Sequence, residues 1–253
     1  MCLLSTQVFK RMVKLRILIL DGVCLSGSFK YLSNELRLFR LHNCNLSRIQ
    51  SNFHCEKLVE LALERSIIEE FQCNMQHFRC LRILKLDYCE QLKKTPNFTG
   101  AHTLQKVSFK WCSNLVKVHP SIGSLEKLVE LDFQHCKKLK VLPSSICMLK
   151  SLEVLRLYEC EKLAELPIDL GKLEQLRDLL ASGTAISCIP FSLGCLRNLK
   201  TLELQQYGVG FFPPSVANLC SFEVIENLTS LVSLDLSGIS CYLQILPFSL
   251  CHL

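Results

Sequence analysis

Apolar positions along this chain fall into a spaced pattern that returns at a nearly fixed interval. The clearest stretch is residues 128–176. Leu128, Leu131, Phe133, Cys136, Leu139 and Leu142 are followed 24 residues later by Leu152, Leu155, Leu157, Cys160, Leu163 and Leu166, and Leu176 opens the next copy. Units begin at Leu15, Leu36, Leu58, Leu81, Leu104, Leu128, Leu152, Leu176, Leu199 and Leu231. The last interval, from Leu199 to Leu231, breaks the rhythm. Gly208, Gly210 and Pro213-Pro214 fall in it, so an insertion or degenerate unit is expected over 205–230. A repeat of 20–50 residues predicts a stacked array rather than a single closed core.

Within a unit, Leu-x-x-Leu-x-Leu alternates apolar and polar in its second half, which is the period of a strand with one buried face. A Cys, Ser or Thr then ends the strand, as at Cys136, Ser66 and Thr184. Leu-x-x-Leu-Pro follows, as at Leu142-Pro143 and Leu166-Pro167. Proline there suits the start of a helical turn, where its missing N–H costs nothing. Ile146 and Leu149, Leu170 and Leu173, and Leu193 and Leu196 are spaced three apart, enough for one inward-facing turn of 3₁₀ or α-helix. The predicted fold is therefore α/β: a solenoid with a parallel sheet on its concave face and short turns on its convex face. Residues 1–14 form an N-terminal flank, and residues 15–253 hold about ten units. The final residues, Pro247 to Leu253, read as the return of a unit with no successor, so the array is expected to be truncated there.

Composition adjusts this picture in two places. Sixteen cysteines would suggest a disulfide framework. Cys44, Cys89, Cys112, Cys136 and Cys160, however, share one phase of the repeat, which points inward, and no Cys-x-x-Cys occurs. Buried reduced thiols in a reducing compartment are expected. The net charge of +6 is modest. Lys93, Lys94, Lys117, Lys137, Lys138, Lys140 and Lys162 form a basic flank that reads as a solvated edge, because Glu161 and Glu165 interrupt it and no aromatics interleave. No apolar run is long enough to span a membrane.

The pattern Leu-x-x-Leu-x-Leu-x-x-Cys-x-x-Leu-x-x-Leu-Pro resembles a leucine-rich repeat. More narrowly, Leu81–Pro96, Leu104–Pro120 and Leu128–Pro143 resemble the repeats of plant intracellular nucleotide-binding disease-resistance receptors of the Toll/interleukin-receptor-like class. The resemblance implies a protein-recognition module of innate immunity in the cytoplasm or nucleocytoplasm. It would sense a pathogen effector or a guarded host protein, or engage the receptor's own nucleotide-binding domain in autoinhibition. No phosphate-binding loop motif is present, so no cofactor is expected. No nucleophile or paired-carboxylate arrangement suggests an enzyme, no metal pair stands out, and neither nucleic acid nor a membrane span is expected.

Other readings are a substrate-recognition repeat of a ubiquitin ligase, the ectodomain of an extracellular leucine-rich repeat receptor and a bacterial effector ligase. The first resembles units of about 26 residues. The second resembles Leu-x-Gly-x-Ile-Pro endings flanked by cysteine pairs, and the third units nearer about 20 residues. Strand-face positions give the candidate partner-binding set: Lys85, Tyr88, Lys110, Trp111, Asp132, His135, Arg156 and Tyr158. Tyr88, Trp111, His135 and Tyr158 are expected to form an aromatic floor with a basic rim, the composition of a protein-binding hot spot.

Overall fold

The computed structural model describes residues 2–49, 51, 53–186, 188–205 and 222–237. Most of the irregular stretch expected over 205–230 lies outside the described residues, as does the ending expected at Pro247 to Leu253. Among the described residues, ten strands form one parallel sheet. In order these are β2 (Ile17–Asp21), β4 (Leu38–His42), β5 (Glu60–Glu64), β6 (Ile83–Lys85), β7 (Lys106–Ser108), β8 (Glu130–Asp132), β9 (Val154–Arg156), β10 (Asp178–Leu180), β11 (Thr201–Glu203) and β12 (Ser233–Asp235). Two further strands, β1 (Cys2–Ser5) and β3 (Val23–Ser26), pair with each other in a separate parallel ribbon at the N-terminal end.

The register is the repeat made visible. Leu18, Phe39, Leu61, Leu84, Val107, Leu131, Leu155, Leu179, Leu202 and Leu234 stand opposite one another in successive strands. Each strand is only three to five residues long, and six of the described returns carry a short 3₁₀ turn, while the short α-helix Phe222–Glu226 precedes β12. The 3₁₀ turns include Pro120–Ser124, Ser144–Met148, Leu170–Lys172 and Phe191–Cys195. Pro143 and Pro190 sit immediately before the turns they precede, as the Leu-Pro endings imply. Ile146, Leu149, Leu170, Leu173, Leu193 and Leu196 are fully buried. A strand needs less width than the return, so the sheet lies on the inside of the curve.

The shared cysteine phase has a structural role beyond filling space. Cys44, Cys89, Cys112, Cys136 and Cys160 are all buried free thiols. Four of them donate to the chain of the preceding coil: Cys89 to Leu63 O (3.0 Å), Cys112 to Leu86 O (3.0 Å), Cys136 to Phe109 O (3.1 Å) and Cys160 to Phe133 O (3.1 Å). Each S–H thus ties its coil to a carbonyl of the coil before it; the carbonyls of Leu86, Phe109 and Phe133 also accept the N–H of Cys89, Cys112 and Cys136. At the same phase Thr184 instead donates within its own coil, to Ala181 O at 2.8 Å.

Burial pushes the Cys89 and Cys160 thiols up to about 12 and those of Cys112 and Cys136 well above the ordinary range. At pH 8, a thiol of pKa about 12 is roughly 10⁻⁴ thiolate, and the thiolate is the reactive species. A thiol-specific reagent should therefore label exposed Cys80, Cys188 and Cys195 in the native protein within minutes. The repeat-phase cysteines should react only after denaturation. Peptide mapping of native protein that found Cys136 labelled as fast as Cys80 would overturn the inward thiol ladder.

Candidate partner-binding surface

Just beyond each central strand, the residue before the Cys phase adopts a left-handed backbone. Asn43, Arg65, Tyr88, Trp111, His135 and Glu159 have φ between 51° and 60°, and Gly22 and Gly183 take the same position with φ of 66° and 71°. The conformation aims each N–H at the next coil. Arg65 donates to Asp87 O (2.9 Å), Tyr88 to Lys110 O (2.6 Å), Trp111 to Gln134 O (2.8 Å), His135 to Tyr158 O (2.7 Å) and Glu159 to Ser182 O (2.8 Å). A non-glycine residue pays about 1–2 kcal/mol for this geometry, which the two glycines avoid. Keeping large side chains here repeats one Cα–Cβ direction in every coil, so those side chains must stack.

They do so as a continuous ladder. The Arg65 guanidinium lies 4.4 Å from the Tyr88 ring centre. Tyr88 and Trp111 are parallel, with centroids 5.9 Å apart, and Trp111 stacks on His135 at 3.7 Å. His135 Nδ1 donates to Glu159 Oε2 at 2.8 Å. Trp111 is 39 % exposed, while Tyr88 and His135 are half-buried. The ladder runs along the edge where the strands end.

Two sequence expectations need correction here. Tyr158 is not the fourth rung, because in register it matches Gln134 and the rung itself is Glu159. Tyr158 instead meets the His135 ring edge-on at 5.5 Å. Asp132 is not an exposed floor residue, since it is 2 % exposed. Its Oδ1 accepts the Gln134 N–H at 3.0 Å, and its Oδ2 lies 3.3 Å from Lys110 Nζ. Burial raises its carboxyl, offset in part by these contacts. Asp87 behaves alike: burial raises it, while Ser108 Oγ and the Lys110 N–H donate to its Oδ1.

The expected basic rim is also spoken for. Lys110 pairs with Asp132, and Arg156 bonds Glu130 and lies 3.9 Å from Asp132. Lys106 reaches Glu130 at 3.1 Å. Burial works against ionisation of Glu130, but the hydrogen bonds from Lys106 and Arg156 outweigh it and leave its carboxyl below the usual range. Lys85 carries no ion pair among the described residues. The strand face is therefore a mesh of paired charges around a small depression of about 150 Å³ at Asp87, Ser108, Lys110 and Asp132. Beside this mesh, the Trp111 ring is left exposed at the aromatic edge. Arg65 and Glu159, at the ends of the ladder, are absent from the candidate set. Their phase, one residue before the Cys position, is the signal that would have found them.

Comparison with known proteins agrees with this architecture. No family model matches the chain. A Leptospira interrogans leucine-rich repeat protein superposes with a TM-score of 0.70 at 24 % identity, covering 88 % of this chain and 60 % of that one. The leucine-rich repeat domain of the type III effector XopL gives 0.69 at 22 %, covering 81 % and 72 %. The fold is the leucine-rich repeat solenoid. In sequence, TMV resistance protein N of Nicotiana glutinosa is 32 % identical over 123 residues, 49 % of this chain and 11 % of that protein. Disease resistance protein RUN1 of Vitis rotundifolia is 37 % identical over 103 residues, 41 % of this chain and 8 % of that protein. These repeats resemble those of plant disease resistance proteins. The matched stretches span only about a tenth of those relatives. Among the described residues, no helix is long and apolar enough to cross a membrane.

Proposed function

We propose that this leucine-rich repeat solenoid is a non-catalytic recognition module of a cytoplasmic plant immune receptor, and that the ladder Arg65–Tyr88–Trp111–His135 is the centre of its partner footprint. The partner would be a pathogen effector, a guarded host protein or the receptor's own nucleotide-binding domain. Contact with the last would restrain the receptor until the ladder is engaged from outside. One observation carries the reading: large aromatic side chains occupy a left-handed backbone position that glycine fills at Gly22 and Gly183. Strain retained in this way is characteristic of functional positions. The resemblance to disease resistance proteins supports a partner of this class.

Replacing Trp111 by alanine should weaken binding to the cognate protein about 30-fold, as loss of a hot-spot residue worth ~2 kcal/mol does. Stability should fall by only about 1 kcal/mol, from the lost stacking on His135 and Tyr88. Affinity by calorimetry and unfolding by urea, measured on the same variant, separate the two effects. Lys138→Ala on the flank serves as the control. A folded Trp111→Ala protein with unaltered affinity for all three partner types would sink the proposal.

A further inference from the structure

A second surface feature lies at the opposite edge of the sheet, where the strands begin. Arg37, Lys57, Arg79 and Arg82, with Val59, Cys80 and Thr103, line a concavity of about 570 Å³. This is within the usual range for small-molecule sites. The backbone sets the spacing of the charges. Arg82 donates its N–H to Val59 O, and Val59 donates to Arg37 O, each at 2.8 Å. Arg37, Val59 and Arg82 are thus successive rungs of one column, with Arg79 just before the column's third rung.

The lining holds four cationic side chains and no carboxylate. Lys57 is paired, to Glu35 Oε1 at 2.6 Å just outside the lining. Glu35 is held below the usual carboxylate range, chiefly by that hydrogen bond and less by Arg16 and Arg37. The guanidinium groups of Arg37, Arg79 and Arg82 have no ion pair among the described residues. The lysine flank contrasts with this: Lys93 pairs with Glu69, Lys137 pairs with Glu161, and Lys138 donates to Asn114 Oδ1. Like charges gathered in one concavity repel one another, and clustered anionic oxygens reverse the sign of that interaction. Guanidinium groups match phosphate oxygens with paired N–H donors. No aromatic side chain lines the concavity on which a nucleobase could stack.

We propose that this concavity binds a small ligand bearing clustered phosphate groups, held by Arg37, Arg79, Arg82 and Lys57. The site is separate from the aromatic ladder. The shared chemistry is a set of adjacent phosphates, either free in solution or on a lipid headgroup.

Inorganic tripolyphosphate is the direct probe, titrated into the full chain by calorimetry at physiological salt. Saturable binding is expected. Arg79→Gln with Arg82→Gln should weaken it at least tenfold, while Lys137→Gln with Lys138→Gln and, separately, Trp111→Ala should leave it unchanged. All these side chains are exposed or on the surface edge, and a melting curve on each variant confirms that it folds. Flotation with vesicles containing phosphatidylinositol bisphosphate distinguishes the sources. Flotation that tripolyphosphate displaces assigns the headgroup, and saturable tripolyphosphate binding without flotation assigns the free ligand. Absence of saturable tripolyphosphate binding, or equal weakening by the Lys137 and Lys138 changes, would overturn the site without touching the aromatic-ladder reading.

Discussion

Phe109→Ala should destabilise the solenoid by about 3–5 kcal/mol, the usual cost of removing a fully buried aromatic ring. Phe109 has no exposed surface. Its ring lies parallel to that of Phe133, with centroids 5.5 Å apart, so the deletion removes a stacking contact along with the buried area. The same residue is a backbone node. Its N–H donates to Asp132 O at 2.8 Å, and its carbonyl accepts from the Cys112 N–H and from Cys136 Sγ. A collapse of the chain into the space left by the ring would disturb the strand register and a rung of the thiol ladder together. Because each coil touches only its neighbours, damage in the middle coil uncouples the two halves of the stack. Urea unfolding should therefore shift to lower concentration and broaden. Phe109→Leu, which nearly fills the space, should cost under about 1.5 kcal/mol. Equal costs for the two variants would show that the ring is not tightly packed.

Gly171→Ala should cost about 3 kcal/mol, the upper end for forcing added volume into a packed site. Gly171 is buried in the turn Leu170–Lys172, and a Cβ there would lie 1.9 Å from Ser192 O and 2.7 Å from Ser192 C. Those are backbone atoms of the next coil's turn and cannot swing aside. The contact is already bound, since Gly171 N–H donates to Ser192 Oγ (3.1 Å), which in turn donates to Ile168 O (2.6 Å). Its backbone is not left-handed, so the cost is purely one of approach. Gly22→Ala is the contrasting control. There the Cβ meets nothing within 4 Å but φ is +66°, so the cost should be about 1 kcal/mol of backbone strain. If melts rank the two variants in the reverse order, close packing of the turns is not what Gly171 serves.

Much of this fold is readable one unit at a time. The 24-residue phase identifies Leu131, Leu155 and Leu179 as inward, the Leu-Pro endings announce the turns, and the common phase of Cys112, Cys136 and Cys160 marks them as buried. These follow from the sequence by itself because a periodic chain repeats one local environment, and an inward position in one coil is inward in all. The N-terminal ribbon of β1 and β3 was not legible in this way, because its pairing joins the flank to the segment after β2 and has no repeat behind it.

The candidate site was legible only in part, for the same reason. Tyr88, Trp111 and His135 share a phase, and their stacking follows from it. That Glu159 rather than Tyr158 completes the ladder was readable too, since Glu159 directly precedes Cys160; the left-handed backbone at that phase, held by hydrogen bonds to the following coil, was not. The burial of Asp132 under Lys110, the pairing of Arg156 with Glu130 and the unpaired state of Arg37, Arg79 and Arg82 among the described residues were decided by tertiary structure alone. Each depends on which side chains of adjacent coils come within reach across a strand spacing of about 4.8 Å. Repeat phase determines which way a residue points, whereas its charge partner is set by what the adjacent coils happen to carry.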